Sequence, residues 1–339
     1  MFKNFLLSSF LFILASPNTF AAGSALPERE FQVALPEIVS AWYHHWWYPG
    51  RFAGNGSNYR YEPLLGKYNI NDSTVRQHVK WAKKYGINTF GIDLWIDQAN
   101  WNGWVERHTE IVTRVFDQEG MNYFFLIDRD LQNGGWQKYQ PELIAAETVK
   151  RIKKYYKRPS YLNYRSKPVL FFWAAYNTDC GFWFKVVKLI KKEIGPFTFA
   201  ADLPCADIRM LYNPYSPIMG SDIGLQNSRQ LSLWKDRAED LKPWVPTALA
   251  GYDDTRVRSG NPPVALSPKG FQKSIQNALK YPQHLEGGKK WLMINSWNEW
   301  HEGSQIEPSK DMSKPFQLLE VLREELQRVT NPVVYDDLK

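Results

Sequence analysis

The run Asn295-Ser296-Trp297-Asn298-Glu299-Trp300-His301-Glu302-Gly303 holds the residue types best suited to chemistry. It follows an apolar stretch, Trp291 to Ile294, that reads as a buried strand. Two carboxylates stand three residues apart, next to Trp297 and Trp300. Burying a carboxylate is costly unless it is paired, hydrogen-bonded or used. An aromatic wall raises one carboxyl's pKa while the other stays ionised. Glycosidic cleavage needs that asymmetry: one group protonates the leaving oxygen, and the other serves as nucleophile or base. Glu299, at the strand end, is expected to be rigid, with Glu302 on the following loop or first helical turn. Trp297, Asn298 and Trp300 are candidate substrate contacts. Glu307 reads equally as a rim salt bridge and as a substrate contact.

Such a pair needs a frame. Strand-like runs alternate with helix-like segments along the chain. The strands are expected at Ile38 to Trp46, Ile87 to Trp95, Asn122 to Asp128, Pro168 to Trp173, Phe197 to Asp202, Ile218 to Leu225, Val245 to Ala250 and Lys290 to Ser296. Between them lie helical patterns at Asp72 to Tyr85, Trp104 to Glu119, Ile144 to Tyr156, Phe182 to Ile194 and Pro268 to Leu279, and Lys314 to Val329 closes the chain. Gly86 and Gly120 are the expected stops of the first two. About eight strand–crossover units predict a single (β/α)8 TIM barrel. A doubly wound sheet is the rival, but its glycine-rich dinucleotide turn is absent.

A barrel gathers its chemistry at the C-terminal ends of the strands. Polar and aromatic residues do collect there: Tyr43, His44 and Trp46 after the first strand, and Asp93 and Trp95 on the second. Asp128 ends the third, Asp202 the fifth, and Tyr252 and Arg256 follow the seventh. Tyr43, His44, Trp46, Trp95, Asp128, Tyr252 and Arg256 are therefore candidate sugar contacts. Asp93 and Asp128 would bind hydroxyls, orient other side chains or hold the rim by a buried hydrogen bond. His44 and His45 lack the partner spacing of a zinc site, so no metal and no cofactor is expected.

Composition bounds the rest. The chain is 15% aromatic with 15 Trp and 18 Tyr, which suits stacking on sugar rings as well as a Trp-rich core. Residues 1–22 read as a cleavable signal: Lys3, the apolar Phe5 to Ala15, then Thr19-Phe20-Ala21 as a small-x-small site. Residues 23–339 would form the catalytic domain. The expected product is a monomer in the periplasm or the medium, without stable membrane insertion. The net charge of +7 is spread over helical segments such as Lys150 to Lys154, a solvated face rather than a nucleic-acid groove. Cys180 and Cys205 are the only cysteines; export permits a disulfide, but spacing leaves the pairing open.

The segment Trp297 to Gly303, with Ile306-Glu307-Pro308 after it, resembles the signature of glycoside hydrolase family 99, the endo-α-1,2-mannosidases and mannanases. Tyr43 to Tyr48 resembles that family's aromatic first strand, Gly66 to Tyr68 with Val75 to Trp81 the approach to its second, and Gly251 to Arg256 its strand-seven loop. The resemblance implies a (β/α)8 barrel and a retaining, endo-acting hydrolase. It implies that Glu299 takes the proton of the sugar's own 2-hydroxyl, giving a 1,2-anhydro intermediate, while Glu302 is general acid and base. The family's His-x-Glu-Pro-Tyr stretch after strand three is replaced here by Phe125 to Asp130. The strand-eight motif also resembles bacterial glycosyltransferase-like proteins of surface-polysaccharide assembly.

The leading expectation is an exported hydrolase of an α-linked, manno-configured oligosaccharide or polysaccharide. The rivals are a polysaccharide-assembly transglycosylase and a non-catalytic carbohydrate-binding barrel.

Overall fold

The computed structural model describes residues 36–52, 59–96, 103–129, 135–214, 223–258 and 260–330. The expected signal segment, residues 1–22, lies outside them. The strands are β1 (Ile38–Tyr43), β2 (Thr89–Trp95), β3 (Asn122–Asp128), β4 (Asn163–Tyr164), β5 (Lys167–Phe172), β6 (Thr198–Ala201), β7 (Ile208–Met210), β8 (Trp244–Val245), β9 (Thr247–Leu249) and β10 (Trp291–Asn295). The helices are α1 (Pro49–Phe52), α2 (Asp72–Lys84), α3 (Trp104–Glu119), α4 (Pro141–Ile152), α5 (Cys180–Ile194), α6 (Ile223–Glu239), α7 (Pro268–Leu279) and α8 (Gln317–Thr330).

The main sheet runs β8-β7-β6-β5-β3-β2-β1-β10-β9 with parallel neighbours, and β4 adds a short antiparallel hairpin on β5. Only Pro246 separates β8 from β9. The first half pairs with β7 and the second with β10, so this broken strand closes the cylinder. Proline has no N–H to give a ladder, but its carbonyl accepts from Met293 N–H at 3.0 Å. Counted as one, β8 and β9 complete the eight strands of a (β/α)8 barrel.

The sixth strand of the barrel is not where the hydrophobic pattern places it. Of the expected Ile218 to Leu225, residues 218–222 lie outside the described residues and Ile223 to Leu225 open α6. The strand is instead β7, three residues with a half-buried Arg209 at its centre. A run that short carries no readable period.

Helix starts follow local chemistry. Asn71, Asp179 and Ser267 each accept a hydrogen bond from a first-turn N–H, at 3.0, 2.9 and 3.2 Å, contacts worth about 1 kcal/mol apiece. Gly86 and Gly120 follow α2 and α3 at φ 94° and 61°, a region that costs other residues strain. The disulfide Cys180–Cys205, with a Cα–Cα distance of 6.0 Å, ties the start of α5 to the loop after β6.

Alternation along the strands decides what faces the barrel axis. Trp42 packs on Phe124, Phe171 and Tyr212, with ring centroids 5.6, 4.9 and 5.7 Å away. It pairs in register with Gly91, and a Cβ at Gly91 would lie 2.3 Å from the Trp42 ring. Glycine is the residue that lets the indole fill the barrel. Its neighbours on β1 turn the other way: Tyr43 packs on Phe90 and Phe116, between sheet and helices. The same parity carries His44 inward and His45 outward at the top of the strand.

Candidate active site

Asn298 fixes the loop after β10. Its side-chain amide accepts from His44 N–H and donates to the His44 carbonyl, both at 2.8 Å. Trp297 N–H meanwhile donates to the Trp42 carbonyl at 2.8 Å. The loop thus continues the β1–β10 ladder beyond the last regular residue. A 3-10 turn, Trp300–Glu302, follows and ends at Gly303 with φ 56°. A Cβ there would meet the Asp253 backbone at 3.3 Å, and Asp253 N–H donates to the Glu302 carbonyl at 2.6 Å. Two backbones this close clamp the turn that carries the second carboxylate.

The structure brings Glu299 and Glu302 together. Their side chains are 5% and 13% exposed. Glu299 accepts from His301 N–H at 3.0 Å, with Nδ1 of the His301 ring 3.4 Å away. Its other oxygen lies 3.6 Å from His44 Nδ1, which is also 3.3 Å from Asp93. Glu302 accepts from Arg258 at 3.1 Å. Its second oxygen is buried with no hydrogen-bond partner among the described residues. Burial, and next the charge of Glu299, push the Glu302 carboxyl up to about 7, against the pull of Arg258 and His44. Glu302 therefore holds its proton to near neutrality, as a general acid must. Burial and the Glu299 charge also raise the Asp93 carboxyl well above its ordinary range, with the Trp95 indole opposing.

The remaining expected contacts divide. His44, Trp46 and Trp95 form a row at the top of β1 and β2, with centroid separations of 4.5 and 5.4 Å. Asp128 stands beside Trp95 across the β2–β3 ladder and accepts from Arg129 N–H at 2.5 Å. Tyr252 donates to Asp254 at 3.1 Å, and burial and then the nearby Glu302 raise its phenol pKa.

Other residues lie behind the site rather than in it. Trp297 is fully buried against His78 and Phe90, and Trp300 is fully buried too. Both pack beneath the loop: Trp297 lies on the His78 and Phe90 rings, and Trp300 Nε1 donates to Glu307 at 3.1 Å. Tyr43 faces outward, its hydroxyl 3.0 Å from His78 Nδ1. Arg256 is exposed, and its guanidinium donates to the Tyr59 carbonyl at 2.7 Å. The cation at the carboxylate pair is Arg258, two residues on, which also bridges Asp254 at 2.9 Å. Glu307 is neither a rim bridge nor exposed to a ligand. It is buried and accepts from Tyr68 hydroxyl at 2.8 Å and Trp300 Nε1 at 3.1 Å, with His78 Nε2 at 3.0 Å. Asp202 pairs with Arg237 at 2.6 Å.

Sequence reasoning missed Tyr212. It follows the displaced β7, and its carbonyl is held by Trp42 Nε1 at 2.8 Å and Asn295 Nδ2 at 3.2 Å. Its hydroxyl lies 3.4 Å from His44 Nε2. Burial first, then Glu302, Glu299 and Asp93, raise its pKa. The available signal was a tyrosine directly after Met210 and Leu211, once the strand is placed correctly. Among the described residues no group of three or more His, Cys, Asp or Glu is arranged to hold a metal ion. No described helix is long and apolar enough to cross a membrane.

The architecture is a parallel (β/α)8 barrel with two neighbouring carboxylates at the C-terminal ends of its strands. A solved structure of this architecture is the GH99 endo-alpha-mannosidase from Bacteroides thetaiotaomicron in complex with BIS-TRIS-propane. It is 19% identical over 88% of this chain and 99% of its own, with a TM-score of 0.66. A second structure of the GH99 endo-alpha-mannosidase from that organism gives 18% identity, coverages of 87% and 99%, and a TM-score of 0.67. A structure described as a glycoside hydrolase-like protein gives 17%, 90% and 97%, and 0.67. At these identities the likeness establishes the fold. The model of a family described as Glycosyltransferase WbsX matches residues 222–321, which include the carboxylate motif. A search of curated proteins by sequence gave no significant match.

Proposed function

We propose that this protein is an exported, retaining, endo-acting glycoside hydrolase of an α-linked, manno-configured glycan. One observation carries the reading: a buried carboxyl, Glu302, with its pKa raised to about 7 beside a second carboxyl, Glu299, at the mouth of a barrel. Glu299 removes the proton from the sugar's 2-hydroxyl. The freed oxygen attacks the anomeric carbon as Glu302 gives its proton to the leaving oxygen, leaving a 1,2-anhydro sugar. Glu302, now anionic and held by Arg258, takes a proton from water as that water opens the three-membered ring. The 2-oxygen recovers its proton from Glu299. No protein nucleophile is needed, which suits two carboxylates on one short loop. The Cys180–Cys205 disulfide supports export, since such bonds persist in oxidising compartments.

The test is digestion of yeast mannan and of glucosylated mannose oligosaccharides by wild type, Glu299→Gln and Glu302→Gln. The reading expects retained anomeric configuration and loss of turnover in both variants. Unchanged turnover in Glu302→Gln would contradict it. The WbsX match favours a second reading, transfer to a sugar acceptor in polysaccharide assembly. Added acceptor would then give elongated product in place of free reducing ends.

A further inference from the structure

We propose that Asp93 is a positioning residue for Glu299, acting through the imidazole of His44. The inference rests on the hydrolase reading and deepens it. His44 Nδ1 lies 3.3 Å from Asp93 and 3.6 Å from Glu299. All three side chains are at most 5% exposed. With Glu299 ionised, a proton on Nδ1 is favoured there, because a lone pair would be repelled by that charge, and the buried Asp93 carboxyl offers an acceptor oxygen whether or not it holds its own proton. The other nitrogen then faces the Tyr212 hydroxyl at 3.4 Å.

The ring is fixed from its backbone as well. Asn298 holds both the N–H and the carbonyl of His44, and Trp46 packs on its face at 4.5 Å. His44 therefore cannot swing away when its hydrogen-bonding changes. During reaction the 2-hydroxyl O–H bond breaks and its proton passes to Glu299. Glu299 becomes a neutral, weaker acceptor. The His44 Nδ1–H then turns its hydrogen bond to Asp93, and back again when Glu299 releases its proton. No net proton leaves the group. Asp93 supplies the second acceptor that keeps the tautomer unchanged through the cycle.

Four titratable groups face Asp93. They are His44 from the top of β1, Glu299 and Glu302 from the loop after β10, and Tyr212 from the segment after β7. Arg258 acts on this set through Glu302. Removing one potential anion from the set lowers its affinity for a proton.

The experiment compares wild type, Asp93→Asn, His44→Gln and the double variant on mannan, with 15N NMR of the histidines as a readout independent of turnover. His44→Gln assigns the His44 resonances among the six histidines. Asp93→Asn is expected to lower kcat by about 10- to 100-fold, the loss typical of partners that orient an imidazole bound to a metal ion. KM should stay within about threefold, because the lost interaction is not a ground-state contact. The acid limb of the rate profile should move to lower pH, and the NMR should show a proton lost from Nδ1 at a pH where wild type keeps it. In the His44→Gln background, Asp93→Asn should cost little more, since Asp93 acts through that ring. Additive losses, or an unprotonated Nδ1 in wild type, overturn the proposal. If mannan is not cleaved yet Asp93→Asn strips the Nδ1 proton, the positioning pair stands and the substrate assignment falls.

Discussion

Replacing Arg258 with methionine should move the alkaline limb of kcat/KM to higher pH. That limb reports loss of the proton from the general acid, which the reading assigns to Glu302 with a pKa of about 7. The guanidinium lies 3.1 Å from the carboxylate. Two unit charges at that separation interact by about 1.3 kcal/mol in a medium as polar as water. The Arg258 side chain is 57% exposed and that of Glu302 13%; the solvated guanidinium keeps the pair near the water-like figure, in the range of about 1 kcal/mol found for solvent-screened pairs. One pKa unit is about 1.4 kcal/mol. The limb should therefore rise by roughly half a unit to one unit, and added salt should shrink the difference. The assay is release of reducing ends from mannan across the pH range, in low and high salt. Arg256→Met is the control, since its guanidinium binds the Tyr59 carbonyl and should leave the limb in place. A limb that stays put or moves down in Arg258→Met would refute the assignment of the proton to Glu302.

Other outcomes follow from the same geometry. Glu302 has a raised pKa in the folded state, so its contribution to stability is fully present below about pH 4.5 and is lost as pH rises through about 7. Glu302→Gln should accordingly be more stable than wild type in alkaline buffer, by about 3 kcal/mol at most, and melting curves on both sides of neutrality will show it. The Cys180–Cys205 bond closes a loop with a sequence separation of 25. Replacing both with serine should lower the unfolding free energy by about 3.5 kcal/mol in guanidinium titrations, with turnover at low temperature little changed. Glu307→Ala leaves His78, Tyr68 and Trp300 without their buried acceptor. A cost of about 3–5 kcal/mol is expected from denaturant midpoints, whereas a cost near zero would mean the cluster is not paired in solution.

Much of this is legible in the sequence. The alternation of apolar runs with amphipathic stretches specifies strands and outer helices, because a buried parallel strand and a helix face each leave their own period. The carboxylates of Glu299 and Glu302 were readable because two acids beside apolar residues at a strand end have few bland explanations. The break at Pro246 and the three-residue β7 were not, since closure depends on which neighbour each half-strand meets. With β7 misplaced, Tyr212 stayed invisible.

Side-chain direction divides the two sources of information most clearly. The sequence alone specified a barrel with acids and aromatics at one end, since composition and period are local properties. It could not tell Tyr43 from His44, or Arg256 from Arg258, as members of the site. One residue of register turns a side chain from the barrel axis to the helix layer, and register is set by the Trp42–Gly91 fit and the Asn298 clamp on His44. The pKa of Glu302 likewise belongs to the fold, because it arises from residues distant in the chain that exclude water from one carboxyl.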